Sequence, residues 1–244
     1  MNSWFKDWFD SDFYLKVYSH RNDADARKLL EFILANISLP KRAKVLDSSC
    51  GNGRHSILFA QKGFDVTGFD LSLNLLKQAN VAKEKFNLPI KFIRADIRTF
   101  HVKEKFDLIV NLFTSFGYFV SDEENFAFFY NAFGMMESGS YFIFDYLNPK
   151  FLQKNLVGSD SQKIGESTIM QSRRIRDNRI EKEIIVNKLN ETYKFQESVK
   201  LYPKDFLTEK LMKIGFSIIN TSGDYDGNNF NEMNSPRIIL IMKK

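Results

Sequence analysis

The residues best placed to do chemistry are acidic and stand at the ends of apolar runs. Asp47 closes the run Lys44-Val45-Leu46 and is followed by Ser48-Ser49-Cys50-Gly51-Asn52-Gly53, small and polar with two glycines. His55 to Lys62 then has the apolar spacing of a helix. A glycine loop between strand and helix turns backbone N–H groups toward an anion or polar ligand, and glycine lets that ligand approach without meeting a Cβ. The Asp47 carboxylate beside this cradle suits a cationic ligand group. Asp70 closes a second run, Phe64 to Ser72, about twenty residues beyond the loop, where an acid can hydrogen-bond ribose hydroxyls in nucleotide-binding βαβ units. Asp96, Asn111 and Asp145 end three further runs.

The elements that must position these residues alternate between two periods. Ile90 to Ile93 reads as a strand, Phe106 to Leu112 as a near-continuous apolar run of the buried parallel kind, and Tyr141 to Tyr146 as another strand. Leu71 to Phe86 and Asp122 to Met136 read as helices between them, with Phe113 to Tyr118 a loop and Ser138-Gly139-Ser140 a turn. Strands alternating with helices imply a doubly wound parallel sheet that binds ligands at the carboxyl ends of its strands, which is where the marked acids fall. Ahead of this unit, aromatics at positions 4, 5, 8, 9, 13, 14 and 18 form an arm, broken over His20 to Asp25. A helix follows over Asp25 to Ile37, and Pro40 ends the arm. The arm reads as a packing lid in which Tyr14, Tyr18 and Arg21 could close over a ligand. After Pro149 the helical period disappears. Ser167 to Arg176, Arg179 to Asn187 and Thr192 to Tyr202 read as three antiparallel strands. Pro203 to Ile214 returns to helix, stopped at Gly215, and Phe216 to Thr221 and Arg237 to Lys243 supply the last two strands.

Composition sets the outer bounds. The 244 residues suffice for one large domain, and 25 phenylalanines make its core unusually aromatic. The net charge of +5 comes from 35 basic and 30 acidic residues interleaved throughout, so a nucleic-acid partner is not indicated. Cys50 is the single cysteine, which excludes an intramolecular disulfide, and no Cys/His spacing suits a metal. No run approaches a membrane span and no leader stands out, so a cytoplasmic protein is expected.

At these motifs the chain resembles the class I S-adenosylmethionine-dependent methyltransferases, over nearly its whole length. VLDSSCGNGRHS resembles the first motif of that family, GFDVTGFDLS the second, ADI at Ala95 to Ile97 the third and FDLIVNLFTSFGY the fourth. The resemblance implies a Rossmann-like α/β fold with a doubly wound, seven-stranded, mostly parallel sheet. An N-terminal helical arm (1–40), a cofactor-binding core (41–149), an antiparallel insertion over the substrate site (150–202) and the completion of the core (203–244) would divide the chain. It also implies S-adenosylmethionine as cofactor and S-adenosylhomocysteine as product. Ser49, Cys50, Gly51, Asn52 and Gly53 would line the methionine part, with Asp47 near its amino group. Asp70 would take the ribose hydroxyls and Leu71 the adenine face, Asp96 and Ile97 the adenine edge, and Asn111 and Leu112 the space beneath the sulfonium. Tyr18 and Arg21 would close from the arm. Ser49 stands where the family has Gly or Ala, so its Cβ crowds the cofactor.

For the acceptor side, Asp145 and Tyr118 are the candidate bases. Phe116, Tyr118, Tyr146, Asn148 and Arg237 are the candidate substrate contacts. Cys50 is expected to be inert packing and His55 a hydrogen-bonding residue at a helix start. An insertion that closes the site suits methylation of a small molecule at N or O. An RNA methyltransferase and a non-catalytic cofactor-binding protein are the other readings. A monomer or homodimer is expected.

Overall fold

The computed structural model describes residues 3–18 and 23–244. His20 and Arg21 of the sequence reading lie outside the described residues. The arm forms two short helices, α1 (Trp4–Phe9) and α2 (Tyr14–Val17), ahead of α3 (Asp23–Asn36). The alternating unit runs β1 (Lys44–Ser48), α4 (Arg54–Gln61), β2 (Asp65–Asp70), α5 (Leu73–Lys85), β3 (Lys91–Arg94), β4 (Phe106–Asn111), α6 (Asp122–Gly134) and β5 (Met136–Leu147). Ser72 and Ser121 fold back to accept the N–H of Leu75 and Glu124, capping α5 and α6, and α6 adds three acids to its first turn.

After a short helix α7 (Pro149–Lys154) come β6 (Ser159–Ile164), β7 (Ser167–Arg176), β8 (Arg179–Lys188) and β9 (Glu191–Lys200). The chain then closes with α8 (Lys204–Ile214), β10 (Ser217–Ser222) and β11 (Arg237–Lys243). The main sheet has seven strands in the order β10-β11-β5-β4-β1-β2-β3. β1 to β5 run parallel, and β11 is antiparallel to both its neighbours. The expected doubly wound, mostly parallel sheet is therefore the observed one.

Period-two alternation divides each strand between two cores. On β5 and β11, Phe142, Phe144, Ile238, Leu240 and Met242 join the phenylalanine-rich side under α6 and α8. Ile143, Ile239 and Ile241 join Leu29, Ile33 and Phe59 on the other side. The turn expected at Ser138–Ser140 is instead strand. β5 begins at Met136, and its register to β4 shifts between Phe106 and Leu108 to absorb those residues.

The insertion is a four-stranded antiparallel sheet, β6-β7-β8-β9, one strand more than expected. Ser159–Ile164 (SDSQKI) has almost no apolar content because it is an edge strand, paired on one side with β7 alone. One face of this sheet, through Ile169, Ile184 and Val186, packs on Trp4, Phe5, Trp8, Phe13 and Val17 of the arm. The sheet is joined to the core by Arg179. Its guanidinium donates to the carbonyls of Gly117, Tyr118 and Phe119 in the loop after β4 and to Ser198. Gly117, at φ +86°, lets the backbone of Lys200 approach; a Cβ there would stand 2.9 Å from the Lys200 carbonyl.

Candidate active site

The carboxyl ends of β1, β2 and β4 surround a cavity of about 1100 Å³, mouth included. Asp47, Ser49, Cys50, Gly51, Asn52, Asp70, Leu71, Asp96, Ile97, Leu112, Tyr18 and Tyr118 line it, so most of the sequence-marked residues come together. The loop at its floor is ordered by its own acids. Asp70 accepts the N–H of Gly51 on Oδ2 and of Ser72 on Oδ1, each at 2.8 Å. Ser49 and Gly51 hold φ of +52° and +56°, the left-handed region that costs a side chain its easy geometry. Gly53 does not line the cavity. It sits at φ +79° against the inside of the fold, where a Cβ would be 2.9 Å from both Ala79 Cβ and Phe92 Cζ, so its glycine serves close helix packing.

Five ionisable groups here are displaced from their ordinary behaviour. Asp47 is 2% exposed, and burial pushes its carboxyl up to about 7; the negative charge of Asp70 adds to this, and a 2.6 Å hydrogen bond from Ser56 Oγ opposes it. Burial likewise raises Asp70, with backbone hydrogen bonds holding it back. His55, behind the loop, is pushed down to about 3 by burial and by the Arg54 charge, so it is neutral, and its Nε2 is buried with no partner. Asp96 behaves differently. Burial favours its protonated form, but the bidentate ion pair with Arg98 (2.7 Å at Oδ2, 3.1 Å at Oδ1) holds it below the usual range. Burial raises the Cys50 thiol, consistent with packing and not with nucleophilic attack.

A second cavity adjoins the first, between the arm, the loop after β4 and the inner face of the antiparallel sheet. Tyr118, Tyr14 and Tyr18 border both, and Arg237 borders the second. Sequence reasoning missed the sheet's contribution, Asp160, Gln171, Arg173, Lys182 and Glu197. Lys182 and Glu197 were within reach of it, being directly opposite across the β8–β9 hairpin and symmetric about its turn. Glu197 accepts from Trp8 Nε1 (2.5 Å) and the Tyr18 hydroxyl (2.6 Å) and pairs with Lys182 at 3.8 Å. On the opposite side, Asp10 accepts from Ser72 Oγ (2.8 Å) and the Asn74 N–H (2.9 Å). The arm is thus held at both ends across the cavities.

Several expected acceptor contacts take other positions. Asp145 is fully buried and reaches neither cavity: Oδ1 accepts from Arg237 Nε (2.8 Å), and Oδ2 from the Phe113 N–H (2.9 Å) and the Tyr225 hydroxyl (3.0 Å). It holds the loop after β4 and is not placed as a base. Phe116 is core, with five aromatic ring centroids within 5.1–5.5 Å. Tyr146 is fully buried, its hydroxyl donating to the Lys200 carbonyl. Asn148 caps α7 and ties down the carbonyls of Glu232 and Ser235. Asn111 is turned away from the first cavity, its Nδ2 donating to Ser48 Oγ at 3.0 Å. Tyr118 remains at the junction of the cavities, its hydroxyl donating to the Thr114 carbonyl at 2.8 Å. Among the described residues no cluster of three or more His, Cys, Asp or Glu could hold a metal, and no helix is long and apolar enough to cross a membrane.

Fold and site define an α/β sheet with a cavity at the carboxyl ends of its parallel strands, and comparison with known proteins shows what the chain is similar to. Residues 45–139 match the methyltransferase domain family. The chain is 34% identical over 109 residues to YqeM of Bacillus subtilis, a protein named as a methyltransferase, covering 44% of each chain. It is 31% identical over 96 residues to glycine/sarcosine N-methyltransferase of Aphanothece halophytica, covering 38% of this chain and 36% of that one. The chain thus spans less than half the length of these relatives. An S-adenosylmethionine-dependent methyltransferase from Clostridium acetobutylicum superposes over 95% of this chain and 96% of its own, with TM-score 0.81 at 19% identity. Residues 45–139 thus resemble a methyltransferase domain, and the chain has the fold of the class I S-adenosylmethionine-dependent methyltransferases.

Proposed function

We propose that this protein transfers a methyl group from S-adenosylmethionine to N or O of a small molecule. The observation that carries the reading is the pairing of two cavities: a glycine-loop cavity with buried acids, opening into a second one covered by the arm and the antiparallel sheet. The first suits the cofactor. Asp47, a buried carboxylate hydrogen-bonded by Ser56, would face the cofactor's ammonium group. Asp70 keeps lone pairs for ribose hydroxyls after accepting its two backbone N–H groups. Leu71, Asp96 and Ile97 line the same cavity and would take the adenine ring.

When bound, S-adenosylmethionine supplies a sulfonium that already activates its methyl group. The protein's own work is to align the acceptor and exclude water, and orientation of this kind accounts for roughly 7–11 kcal/mol of a barrier. Tyr118, at the junction, would orient the acceptor, and Arg237 would border it. A second cavity bounded by the arm and the antiparallel sheet favours a small molecule over a duplex. The names of relatives point the same way: the chain is 32% identical over 85 residues to an amino-sugar N,N-dimethyltransferase of Streptomyces venezuelae.

Calorimetric titration with S-adenosylmethionine and S-adenosylhomocysteine tests the cofactor half. Both should bind, and Asp70→Ala should weaken both by about tenfold or more, the worth of hydrogen bonds to a charged group. Failure of both to bind the wild-type chain would overturn the proposal. Incorporation of methyl groups into RNA in a tight, salt-dependent complex would replace the small-molecule acceptor.

A further inference from the structure

Phe9, Tyr14, Tyr18, Phe113 and Tyr118 line the first cavity and the second alike. Whatever passes between the two must pass these five rings. Three belong to the arm and two to the loop after β4. Four of their centroids form a near-continuous series: Tyr118 to Phe9 is 5.5 Å, Phe9 to Tyr14 5.0 Å and Tyr14 to Tyr18 5.1 Å. Trp4 extends it beyond Tyr118, at 5.2 Å. Aromatic rings attract cations, most strongly where water is excluded. A passage of this composition therefore favours whichever acceptor ends the reaction positively charged.

The charged groups around the passage support the same choice. The two carboxylates of the second cavity are engaged, Asp160 by Arg173 and Gln171, and Glu197 by Trp8, Tyr18 and Lys182. The cations of that cavity are likewise paired, Arg237 with Asp145 and Lys182 with Glu197. Among the described residues both carboxylates there already have hydrogen-bond and ion-pair partners, and the Tyr118 hydroxyl is committed to the Thr114 carbonyl. An alcohol must lose a proton as it attacks, and so needs a base. A neutral amine does not.

We infer that the acceptor is an aliphatic amine, held in the five-ring passage and leaving it as a methylated ammonium ion; this rests on the methyl-transfer reading above. The amine reacts as its neutral fraction, any proton having been left to water before attack. Its lone pair then forms the N–C bond as the S–CH3 bond breaks, with the bonding electrons staying on sulfur. One positive charge passes from sulfur to nitrogen, where the rings would hold it. A product that is not yet quaternary afterwards gives up a proton to solvent.

The test uses a shape-matched pair, choline and its uncharged analogue 3,3-dimethylbutan-1-ol, titrated into the full chain saturated with S-adenosylhomocysteine. Choline should bind at least about tenfold more tightly, within the range of desolvated cation–aromatic contacts. Tyr118→Leu should cut that preference several-fold and Tyr118→Phe should retain it, with both variants still binding S-adenosylhomocysteine as proof of a folded cofactor half. If S-adenosylhomocysteine binds and choline binds no better than the alcohol, or not at all, the amine inference is overturned while the methyl-transfer reading stands. If S-adenosylhomocysteine itself fails to bind, both fall together.

Discussion

Asp47 couples the stability of this fold to pH in a way that a single substitution isolates. Burial, with the Asp70 charge adding and the Ser56 hydrogen bond opposing, raises its folded carboxyl to about 7 from the ordinary 3.8. Between those values the folded protein keeps a proton that the unfolded chain has released, so stability falls by about 1.4 kcal/mol per unit of rising pH. The loss is complete above pH 7, at about 4 kcal/mol. His55 acts in the opposite sense. Burial and Arg54 depress it to about 3, so below its ordinary 6.5 the unfolded chain binds a proton that the folded state refuses, and stability is lost as pH falls.

The two slopes overlap between about pH 4 and 6.5 and largely cancel in the wild-type profile. Asp47→Asn removes only the first. Urea denaturation of both proteins should show the variant gaining about 2.7 kcal/mol relative to wild type between about pH 5 and 7, and nothing further above it. A difference constant to within about 0.5 kcal/mol across that range would refute the reasoning. The cofactor supplies a second readout. A ligand ammonium beside Asp47 favours its ionised form, so wild-type affinity should rise about tenfold per pH unit up to 7, and the variant's should not.

Three other perturbations have defined outcomes. Ser49→Gly relieves a left-handed side chain at φ +52°, and should raise thermal stability by about 1 kcal/mol while loosening no contact the cofactor needs. Gly53→Ala adds a Cβ at φ +79° into atoms 2.9 Å away, and should cost about 2–4 kcal/mol in denaturant unfolding. Asp145→Asn leaves the Arg237 guanidinium without its carboxylate in a buried place. It should cost about 3–5 kcal/mol by the same measurement, and an unchanged midpoint would return Asp145 to the list of candidate bases.

The lining of the first cavity was legible because its signals are local. Asp47, Asp70 and Asp96 each end an apolar run, and a parallel sheet sends all such ends to one edge whatever the long-range pairing. The acceptor half was less so. That Asp145 ends a strand is readable, but the direction of its side chain depends on the register of β5 against β11, which places it opposite Ile239 and beneath Arg237. Tyr146, one residue on, falls by the same alternation into the phenylalanine core. Phe116 and Asn148 looked like pocket residues because they follow strand ends. One is claimed by surrounding rings and the other by carbonyls more than eighty residues away. β6 escaped because an edge strand with one neighbour needs little apolar sequence. The residues of the second cavity come from elements far apart in the chain, so only tertiary structure assembles them.

The doubly anchored arm also has a consequence for how the chain is made. Trp8 and Tyr18 reach Glu197, 189 and 179 residues further along, and Asp10 reaches Ser72, 62 residues further along. During synthesis the arm therefore emerges long before β9, its main support, exists. Until then Trp4, Phe5, Trp8 and Phe13 have no sheet to cover them, and an uncovered aromatic segment is a hazard for self-association. Translation at about 5–20 residues per second leaves that interval roughly 10–40 seconds long. The segment that covers the cavities is thus made well before the sheet that secures it, and yield on expression should depend on temperature and chaperone supply through this arm more than through the sheet.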